Sequence, residues 1–350
     1  MKHMLGKGVL LCSILGISAI WGQVDKEYQL RSVAFYNVEN LFDTINDPLT
    51  QDDARTPEGR YRWTKSRYDL KIKNLARVIS QIGADTRGTP PDIIGLCEVE
   101  NSEVLQDLIA DPQLAPFRYR AIHLDGTDER GIETALLYKN DSFLPLTIKS
   151  IPLKLFNEKG FRDHTRDQLV VEGLLDTERF YFIVNHWPSR SGGELRSKPY
   201  RMQAARLNRK LIDSIQIRDP RAKIISMGDF NDNPLDDSFK KVLGTSSKRG
   251  QAQGKSLYNP MELLYRKGIG SLAYRDQWHL FDQFFMTASL DTIDRSSYSF
   301  WKAFVFQSRN LSTSSGNYKG YPFRTFVGTT YQGGYSDHFP IGLFLIKTAE

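Results

Sequence analysis

The stretch KIISMGDFND, residues 223–232, joins a short apolar run to a group of polar side chains. The apolar part predicts a buried β-strand, and Gly228 permits a tight exit from it. Asp229 is then placed to act as a base or to orient a water, and Asn231 to donate its amide to a phosphate oxygen. In isolation, Asp-x-Asn after a strand is as typical of a polar turn, in which the side chains bond the local backbone, as it is of a functional site.

Four other segments place polar side chains at the end or the start of an apolar run. They are FYNVEN with Asn37, LCEVEN with Glu98, VNHWPSR with His186, and YSDH with Asp337 and His338. Carboxylate, amide and imidazole groups that converge at strand ends can hold a hard divalent cation, orient a water and neutralise a phosphate. The set predicts one hydrolytic phosphate site, assembled from distant parts of the chain.

Glu98 ends the apolar run DIIGLCE, where an unpaired charge would be costly to bury. A bound cation removes that cost, so we expect Glu98 to be a metal ligand. Glu100 follows two residues later and stays open as an alternative ligand. Asn37 ends the first predicted strand in a similar way, and we expect it to supply an oxygen ligand or to hold Glu98.

His338 precedes the terminal apolar run FPIGLFLI, and the segment LFDQFF places Asp282 at the head of another apolar run. An acid bonded to one imidazole nitrogen fixes the tautomer and favours the imidazolium, so the other nitrogen can face a phosphate. Spacing does not decide which acid pairs with His338, and both Asp282 and Asp337 stay open.

His186 emerges from the apolar run YFIVN into the loop sequence WPSRSGG. Asn185, Ser189 and Arg190 add hydrogen-bond donors around it, and the paired glycines let backbone approach a ligand. We expect these residues to contact a substrate. A hairpin loop with chance polar residues is the alternative interpretation.

The N-terminus MKHMLGKGVLLCSILGISAIWGQ has two lysines ahead of an apolar stretch at residues 8–20. That stretch is too short to span a bilayer comfortably, and polar sequence follows at once. We expect residues 1–22 to be a signal peptide, which predicts a secreted or periplasmic protein. An uncleaved anchor is the alternative, and a lipid anchor at Cys12 is disfavoured because no small residue precedes it.

The chain without its leader keeps one cysteine, Cys97, which excludes an intramolecular disulfide and is expected to pack in the core. Removal of Lys2 and Lys7 from the 47 basic side chains would leave 45 against 41 acidic ones, a net charge of +4. This mild excess suits an anionic substrate without demanding a nucleic acid.

Strand patterns outnumber helical ones, which are scattered between them. Helices are predicted at residues 64–82, 103–110 and 201–217, and strands at residues 30–37, 93–98, 133–138, 169–175, 180–185, 223–227, 282–286 and 339–346. This pattern favours two packed sheets with helices outside over one regularly alternating parallel sheet. Because the candidate site draws on both ends of the chain, residues 23–350 are expected to be a single domain. The irregular stretch at residues 308–335 is long enough to be a functional loop.

The ordered motifs NVEN, CEVE, NHWP, GDFN, FDQ and SDH resemble those of the endonuclease/exonuclease/phosphatase family, whose fold is that of the DNase I-like enzymes. The resemblance runs over residues 32–345, nearly the whole chain after the leader. It implies an α/β (α+β) four-layer sandwich, in which two mixed β-sheets lie face to face and helices flank them.

The resemblance also implies a metal site. Glu98 would be the principal ligand with Asn37 beside it, and Asp337 would share or support the metal. Mg²⁺ is the implied ion, since oxygen ligands with retained waters suit it, and Mn²⁺ is a common substitute.

The catalytic roles implied by the resemblance fall on five residues. Asp229 would activate the attacking water and Asn231 would hold the phosphate. His338, oriented by Asp282, and His186 would stabilise charge on the phosphoryl group or the leaving oxygen. The abasic-site branch of the family normally has tyrosine at the position of His186, so a repair role is not expected.

The segments NVENLFD and NHWPSR resemble those of exported bacterial members of the family. The segment ERGIETALLY also fits these members, and we expect its Arg130 to contact the substrate. The expected activity is hydrolysis of a phosphate ester by in-line attack of water. Nuclease activity is the first expectation for the substrate, and a phosphate ester of a lipid head group or small molecule is the second. A non-catalytic binding module is the alternative from another class. A monomer without a stable protein partner is expected.

Overall fold

The computed structural model describes residues 27–349. The expected signal peptide at residues 1–22 and its cleavage position lie outside the described residues. Within the described part of the chain, no helix has the length and apolar character needed to cross a membrane.

Strands make up most of the regular structure. In chain order they are β1 (Tyr28–Leu41), β2 (Ile93–Val99), β3 (Tyr119–His123), β4 (Glu133–Lys139), β5 (Phe143–Ile151), β6 (Leu155–Phe156), β7 (Arg162–Asp163), β8 (Gln168–Leu175), β9 (Glu178–His186), β10 (Lys223–Asp229), β11 (Thr245–Ser246), β12 (Leu257–Tyr258), β13 (Leu272–Tyr274), β14 (Gln277–His279), β15 (Asp282–Thr287), β16 (Ser299–Val305), β17 (Phe326–Val327), β18 (Thr330–Tyr331) and β19 (Ile341–Thr348).

The helices lie between the strands. They are α1 (Lys65–Gln81), α2 (Ala84–Arg87), α3 (Ser102–Ala110), α4 (Glu194–Arg218) and α5 (Met261–Arg266). Single 3₁₀ turns occupy Asp53–Arg55, Ala115–Phe117, Ala288–Leu290 and Arg309–Leu311, and a short π-helix occupies Ser238–Leu243.

Two large sheets organise the molecule. One has six strands in the order β16-β19-β1-β2-β4-β3, and the other has seven in the order β11-β12-β15-β10-β9-β8-β5. Each sheet is mixed: β1 pairs with β2, and β9 with β10, in parallel, whereas β19 and β15 run antiparallel to their neighbours.

The sheets face each other because their strands alternate apolar side chains between two buried surfaces. On β1, Val33 and Phe35 pack between the sheets with Met227 and Phe284, while Ala34 and Tyr36 pack outward against α1 and α3. Residues two apart on a strand share a face, so this alternation supplies both layers. Full burial of each large apolar side chain contributes about 1.5–3 kcal/mol.

The helix α4 covers the outer face of the second sheet. Its side chains Ala204, Ala205 and Ile212 pack with Ile183 of β9 and Ile224 of β10. The resulting order is helices, sheet, sheet, helix. The predicted four-layer α/β sandwich with two mixed sheets is confirmed.

Some elements differ from the sequence-based prediction. The helix α4 begins at Glu194, ahead of the predicted start at residue 201, and includes Pro199. A proline inside a helix removes a backbone hydrogen bond, so the pattern indicated a later start. The strand β5 was not predicted because it contains Pro145 and lies at a sheet edge, where Leu144 and Leu146 are exposed.

Candidate active site

Three polar residues stand side by side where β9, β10 and β15 meet. Asp229, the last residue of β10, pairs in register with His186 on one side and with Asp282 on the other. All three side chains are buried. Sheet register alone therefore brings together residues that are far apart in the sequence.

The first sheet supplies two further residues to the same place. Asn37 of β1 donates its amide nitrogen to Asp229 Oδ2 at 3.1 Å and to Glu98 Oε1 at 3.4 Å. Its amide oxygen accepts from the backbone N–H of Glu39 at 2.9 Å. Asn37 therefore holds Glu98 through its amide nitrogen, while its amide oxygen is used by the backbone of Glu39. Because Asn37 also bonds Asp229, it links the two sheets.

Glu98 reaches this position through an irregularity in β2. Its φ is 64°, and the pairing with β4 shifts register between Cys97 and Val99. A bulge of this kind re-aims a side chain that strict alternation would send elsewhere. Its carboxylate also accepts from the backbone N–H of Asn40 at 2.9 Å, and Asn40 has a positive φ of 54°.

The acid that pairs with His338 is Asp282, since its Oδ2 lies 2.6 Å from His338 Nδ1. His338 Nε2 lies 3.9 Å from Asp229 Oδ2. Burial acts to lower the pKa of His338, but the charges of Asp282 and Asp229 outweigh it and hold that pKa well above its usual range. His338 is therefore an imidazolium with one nitrogen directed at the site.

His186 has the opposite charge state. Its Nε2 lies 3.8 Å from both Glu98 Oε1 and Asp229 Oδ2, and its Nδ1 has no hydrogen-bond partner among residues 27–349. Burial, followed by the positive charge of Arg166, lowers its pKa well below the usual range. A neutral imidazole thus stands on one side of Asp229 and a charged one on the other.

Asp229 has the electrostatic surroundings of a general base. Burial raises its pKa to about 7, the charge of His338 lowers it, and Asp282 raises it again. Its Oδ1 accepts from the backbone N–H of Asn231 at 3.0 Å. A carboxylate with a pKa near neutrality takes a proton from water more readily than an ordinary aspartate.

Asn231 also lies at this edge, with a φ of 51°. Its side-chain nitrogen donates to the carbonyl of Trp187 at 3.0 Å. One N–H of the amide expected to hold a phosphate is therefore used within the fold, and the backbone N–H of Asn231 orients Asp229.

Asp337 lies at the rim and does not contact Glu98. Its Oδ2 accepts from Arg324 Nη2 at 2.9 Å, and Arg324 Nε lies 3.4 Å from Glu39 Oε1. Glu39 is buried and also accepts from the backbone N–H of Thr325 at 2.6 Å. Glu39 belongs to the NVEN motif but was not singled out, and nothing local in the sequence pairs Arg324 with it.

The expected substrate contact Asn185 is placed differently. It is fully buried, donates to Ser226 Oγ at 3.0 Å, and accepts from Trp187 Nε1 at 3.1 Å and from Asn208 Nδ2 at 2.7 Å. All of these bonds lie inside the fold, where Asn185 joins β9, β10 and α4. Its position does not fit a substrate contact.

The loop after His186 is likewise tied to the protein. Arg190 Nε donates to the carbonyl of Asn231 at 2.9 Å, and its Nη2 lies 2.7 Å from Asp236 Oδ2. This arginine supports the backbone of the GDFND segment, and its Nη1 lies 2.8 Å from Glu194 Oε2, so each of its nitrogens has a partner within the protein. Ser189 is exposed, and its hydroxyl accepts from the backbone N–H of Ser191 at 3.3 Å.

The donor set fits a hard divalent cation. Within the described residues, neither Glu98 nor Asp229 forms an ion pair with a lysine or an arginine, although Asn37 holds them close together. A second group, Asp229, Asp282 and His338, offers ligand atoms within 4.8 Å of one another. Asp282 favours the imidazolium form of His338, in which neither nitrogen has a lone pair for a metal, so Glu98 is the better candidate ligand.

An acid-lined pocket of about 710 Å³ begins at Glu100, two residues from Glu98, and none of the site residues described above lines it. Burial raises the pKa of both Glu100 and Glu133 in its wall to about 8. Glu100 accepts from the backbone N–H of Asp43 at 2.6 Å, so it faces this pocket rather than Asp229. Arg166 connects the two regions, since it donates to Asp128 in the pocket wall and to the carbonyl of Trp187.

Comparison with solved structures finds the same fold in several proteins. A mannosyl-6-phosphatase of Bacteroides thetaiotaomicron aligns with 18% identity and a TM-score of 0.53, over 90% of this chain and 99% of that one. A second protein of that organism, of the endonuclease/exonuclease/phosphatase family, aligns with 18% identity and a TM-score of 0.52, over 92% and 97%. A humanized D. rerio TDP2 aligns with 15% identity and a TM-score of 0.54, over 90% and 98%.

A search of the curated proteins finds no match. The family model for the Endonuclease/Exonuclease/phosphatase family matches residues 32–347. That range contains every site residue described above and nearly all of both sheets, and the resemblance of the ordered motifs is confirmed. The chain therefore belongs to the endonuclease/exonuclease/phosphatase family, whose members are phosphoester hydrolases.

Proposed function

We propose that this protein is a metal-dependent phosphoesterase that cleaves a P–O bond by attack of an activated water. One observation carries the proposal: Asp229 is buried between a neutral and a charged histidine, at 3.8 Å from His186 Nε2 and 3.9 Å from His338 Nε2. The adjacent Glu98 carboxylate has no lysine or arginine partner among residues 27–349. This is an arrangement for handling water and phosphate at one point.

Glu98 would hold the cation, with Asn37 fixing its carboxylate and Asp337 standing at the rim. Mg²⁺ suits this oxygen-rich set, and Mn²⁺ can replace it. When bound, such an ion supplies Lewis-acid polarisation of a phosphate oxygen.

The chain's own residues perform the proton transfers. Asp229 accepts a proton from the attacking water, and its carboxylate is held by Asn37 Nδ2 and by the backbone N–H of Asn231. The His338 imidazolium, held by Asp282, directs Nε2 at the site, where it stabilises negative charge on the phosphoryl group or the leaving oxygen. His186 offers a neutral imidazole to the same group.

For the substrate, we propose a small polar phosphate ester. Carboxylates of Asp43, Asp47 and Asp125 line the neighbouring pocket, and they would repel the backbone of a nucleic acid. Uncharged hydroxyl groups can donate to such carboxylates, so a sugar-like leaving group matches this wall. The mannosyl-6-phosphatase with the same fold acts on a phosphate ester of this class by its name.

The other expected substrates have less support. A nuclease needs a basic groove beside the metal, whereas the pocket that begins at Glu100, two residues from Glu98, is lined by acidic side chains. A lipid hydrolase needs an exposed apolar loop, but Leu311 and Phe326 are buried, and Tyr318 is the only exposed large hydrophobic side chain among residues 308–335, all of which the structure describes. We further propose that the leader at residues 1–22 exports the protein, which would then act as a monomer outside the cytoplasm.

A substrate panel on purified protein lacking residues 1–22 tests the proposal. It contains p-nitrophenyl phosphate, bis-p-nitrophenyl phosphate, glucose 6-phosphate and single-stranded DNA, each with Mg²⁺ and with EDTA. We expect turnover that EDTA abolishes, and a loss of roughly 10²–10⁴-fold in kcat for Asp229→Asn.

Asp141→Asn is the matched control, because Asp141 is a half-exposed acid paired only with Arg118. Turnover that EDTA leaves unchanged, or Asp229→Asn activity within a few-fold of wild type, would contradict the mechanism. Absence of turnover on every substrate would favour a non-catalytic binding module.

A further inference from the structure

Arg55 is held in an unusual setting at the end of the helical turn Asp53–Arg55, between β1 and α1. Its guanidinium carbon lies 4.0 Å from the centroid of the Tyr61 ring, 5.4 Å from that of Phe326 and 5.8 Å from that of Phe42. The rings hold the flat cation by cation–π attraction and restrict its movement. Such packing fixes where the guanidinium is without using its hydrogen-bond donors.

Those donors have no acceptor within the described residues. The guanidinium of Arg55 makes neither a hydrogen bond nor an ion pair there, whereas three other arginines around the site meet carboxylates. Arg166 pairs with Asp128, Arg190 with Asp236, and Arg324 with Asp337. A guanidinium carries five N–H donors, so that of Arg55 must bond to water or to a ligand.

Arg55 is close to the active site because both are built on the same turn of β1. The backbone N–H of Asn40 donates to Glu98, and Phe42, two residues further on, lies beneath Arg55. On the other side, Phe326 follows Thr325, whose backbone N–H donates to Glu39. The platform beneath Arg55 is therefore tied to both Glu39 and Glu98.

A second arginine stands on the same side. The backbone N–H of Gln51, four residues before Arg55, donates to the carbonyl of Glu129 at 2.8 Å, which ties this segment to the loop that carries Arg130. The Arg130 side chain is 47% exposed, and its Nε lies 3.5 Å from Asp128. Burial lowers the pKa of Arg55, Tyr61 and the site carboxylates raise it, and the charge of Arg130 lowers it further. Two cations thus lie close to one region, and only Arg130 forms an ion pair with a carboxylate, that of Asp128.

We propose that Arg55, with Arg130 beside it, forms an anion subsite that binds a second phosphate group of the substrate, one that is not attacked. The inference rests on the proposed function, because it places the attacked phosphate among Asp229, His186 and His338. Arg55 lies beyond Asn40 on the β1–α1 connection, so it would contact a part of the substrate other than the attacked phosphate. A guanidinium fork pairs with phosphate through two parallel hydrogen bonds, which suits this choice.

The test compares two sugars that differ by one phosphate, glucose 6-phosphate and glucose 1,6-bisphosphate, on wild type, Arg55→Gln and Arg55→Lys. For Arg55→Gln we expect KM for the bisphosphate to rise roughly 10–100-fold, with KM for the monophosphate and both kcat values within about twofold of wild type. Arg55→Lys keeps the charge but loses the fork, so it should fall between the two. Arg179→Gln is the matched control, because Arg179 pairs with Glu172 at the start of β9, the opposite end from His186.

Calorimetric binding of the two sugars in EDTA gives a second readout that needs no turnover. We expect wild type and Arg179→Gln to bind the bisphosphate more tightly than the monophosphate, and Arg55→Gln to lose that difference. A protein that hydrolyses nothing but shows this difference would refute the phosphoesterase and keep the subsite. Equal binding of both sugars by wild type would overturn the subsite. An equal effect of Arg55→Gln on both sugars would also overturn it, because Arg55 would then contact the attacked phosphate.

Discussion

The two histidines of the site show how a single neighbouring residue sets a charge state. His338 donates Nδ1 to Asp282 at 2.6 Å and stays charged, while His186 has Arg166 nearby and stays neutral. Both are buried, so burial alone would have made both neutral. The difference gives Asp229 one cationic and one uncharged partner, which is what separate roles in proton transfer and charge stabilisation require.

Asp282→Asn should weaken catalysis without removing any group that touches the substrate. The amide cannot hold the imidazolium of His338, so its pKa falls and its Nε2 loses its fixed direction. We expect kcat to fall roughly 10–100-fold with little change in KM. Steady-state kinetics on the best substrate of the panel measures both.

Asp276→Asn is the control for this change, since Asp276 is an exposed aspartate that accepts a hydrogen bond from the Tyr321 hydroxyl. Wild-type kcat in Asp282→Asn would show that His338 needs no acid partner. The fold should survive in both variants, and circular dichroism checks that.

Glu133 makes stability depend on pH. Burial, and then the charge of Asp128, raises its pKa to about 8, against about 4.3 in an unfolded chain. The folded state therefore holds this proton more firmly, and the stability it contributes is complete below about pH 4.3 and lost as pH rises to about 8. Glutamine stays uncharged, so Tm of Glu133→Gln should exceed that of wild type increasingly from pH 5 to pH 9.

Thermal unfolding in EDTA across that pH range measures the effect. Glu129→Gln is a suitable comparison, because Glu129 lines the same pocket but is exposed. A constant Tm difference between Glu133→Gln and wild type at all pH values would mean that Glu133 titrates normally.

At the scale of elements, the bulge in β2 does what regular alternation could not. In a regular strand, Cys97 and Val99 would share one face of the sheet and Glu98 would lie on the other face. Its carboxylate would then be placed among packed side chains. The positive φ of 64° at Glu98 turns it toward Asn37. A short local deviation thus converts the end of a buried strand into part of the site.

One buried ion pair joins the helix α4 to the loop that follows β10. Arg201 Nε lies 2.6 Å from Asp232 Oδ1, and its Nη1 donates to Ser197 Oγ at 2.8 Å. Replacement by methionine leaves the Asp232 carboxylate buried without its main partner. We expect Arg201→Met to lower the free energy of unfolding by about 3–5 kcal/mol in urea denaturation.

Arg196→Met tests whether charge alone matters, because Arg196 is an exposed arginine of the same helix with only a long contact to Glu158. We expect it to leave stability nearly unchanged. The double variant Arg201→Met with Asp232→Asn should recover part of the loss. Full stability of Arg201→Met would show that Arg190 alone compensates Asp232.

The elements that the sequence predicts well are those whose apolar runs are continuous. The runs before Glu98 and Asp229 are buried central strands, and the polar residue after each lies at the predicted edge. The edge strand β5 could not be found this way, because one of its faces is exposed and Pro145 interrupts it. The pattern of α4 was interrupted in the same way, by Pro199.

Within the site, strand-end positions were predictable and long-range pairings were not. The choice of Asp282 over Asp337 as partner of His338 depends on the register of β15 against β10, which local spacing does not encode. The pairing of Glu39 with Arg324 joins residues at opposite ends of the chain. Asn185 has the composition of a binding residue, and only its burial shows that it serves the fold.

At the scale of the whole molecule, the site lies where the two sheets meet and contains residues from both. Glu98 comes from one sheet and Asp229 from the other, so a cation held beside them should stabilise the packing of both. Added Mg²⁺ at about 100 times its Kd should contribute about 2.7 kcal/mol and raise Tm by roughly 3–8 °C. Thermal unfolding with increasing Mg²⁺ measures this.

Glu98→Gln should abolish the Mg²⁺-dependent rise in Tm, because the amide is a much weaker ligand than the carboxylate. Glu158→Gln removes an exposed acid and should leave the rise unchanged. If Mg²⁺ raised Tm equally in Glu98→Gln and wild type, the cation would have to lie elsewhere, and the acid-lined pocket would be the next place to examine.

The bridge formed by Asn37 has a consequence for the life of the nascent chain. Because its amide touches Glu98 on one sheet and Asp229 on the other, neither half of the polypeptide contains a working centre by itself. Residues as far apart as positions 37 and 338 must be synthesised and docked before hydrolysis can begin. We therefore expect hydrolytic activity to appear only when both sheets have packed together. A partly synthesised or partly unfolded chain should have none.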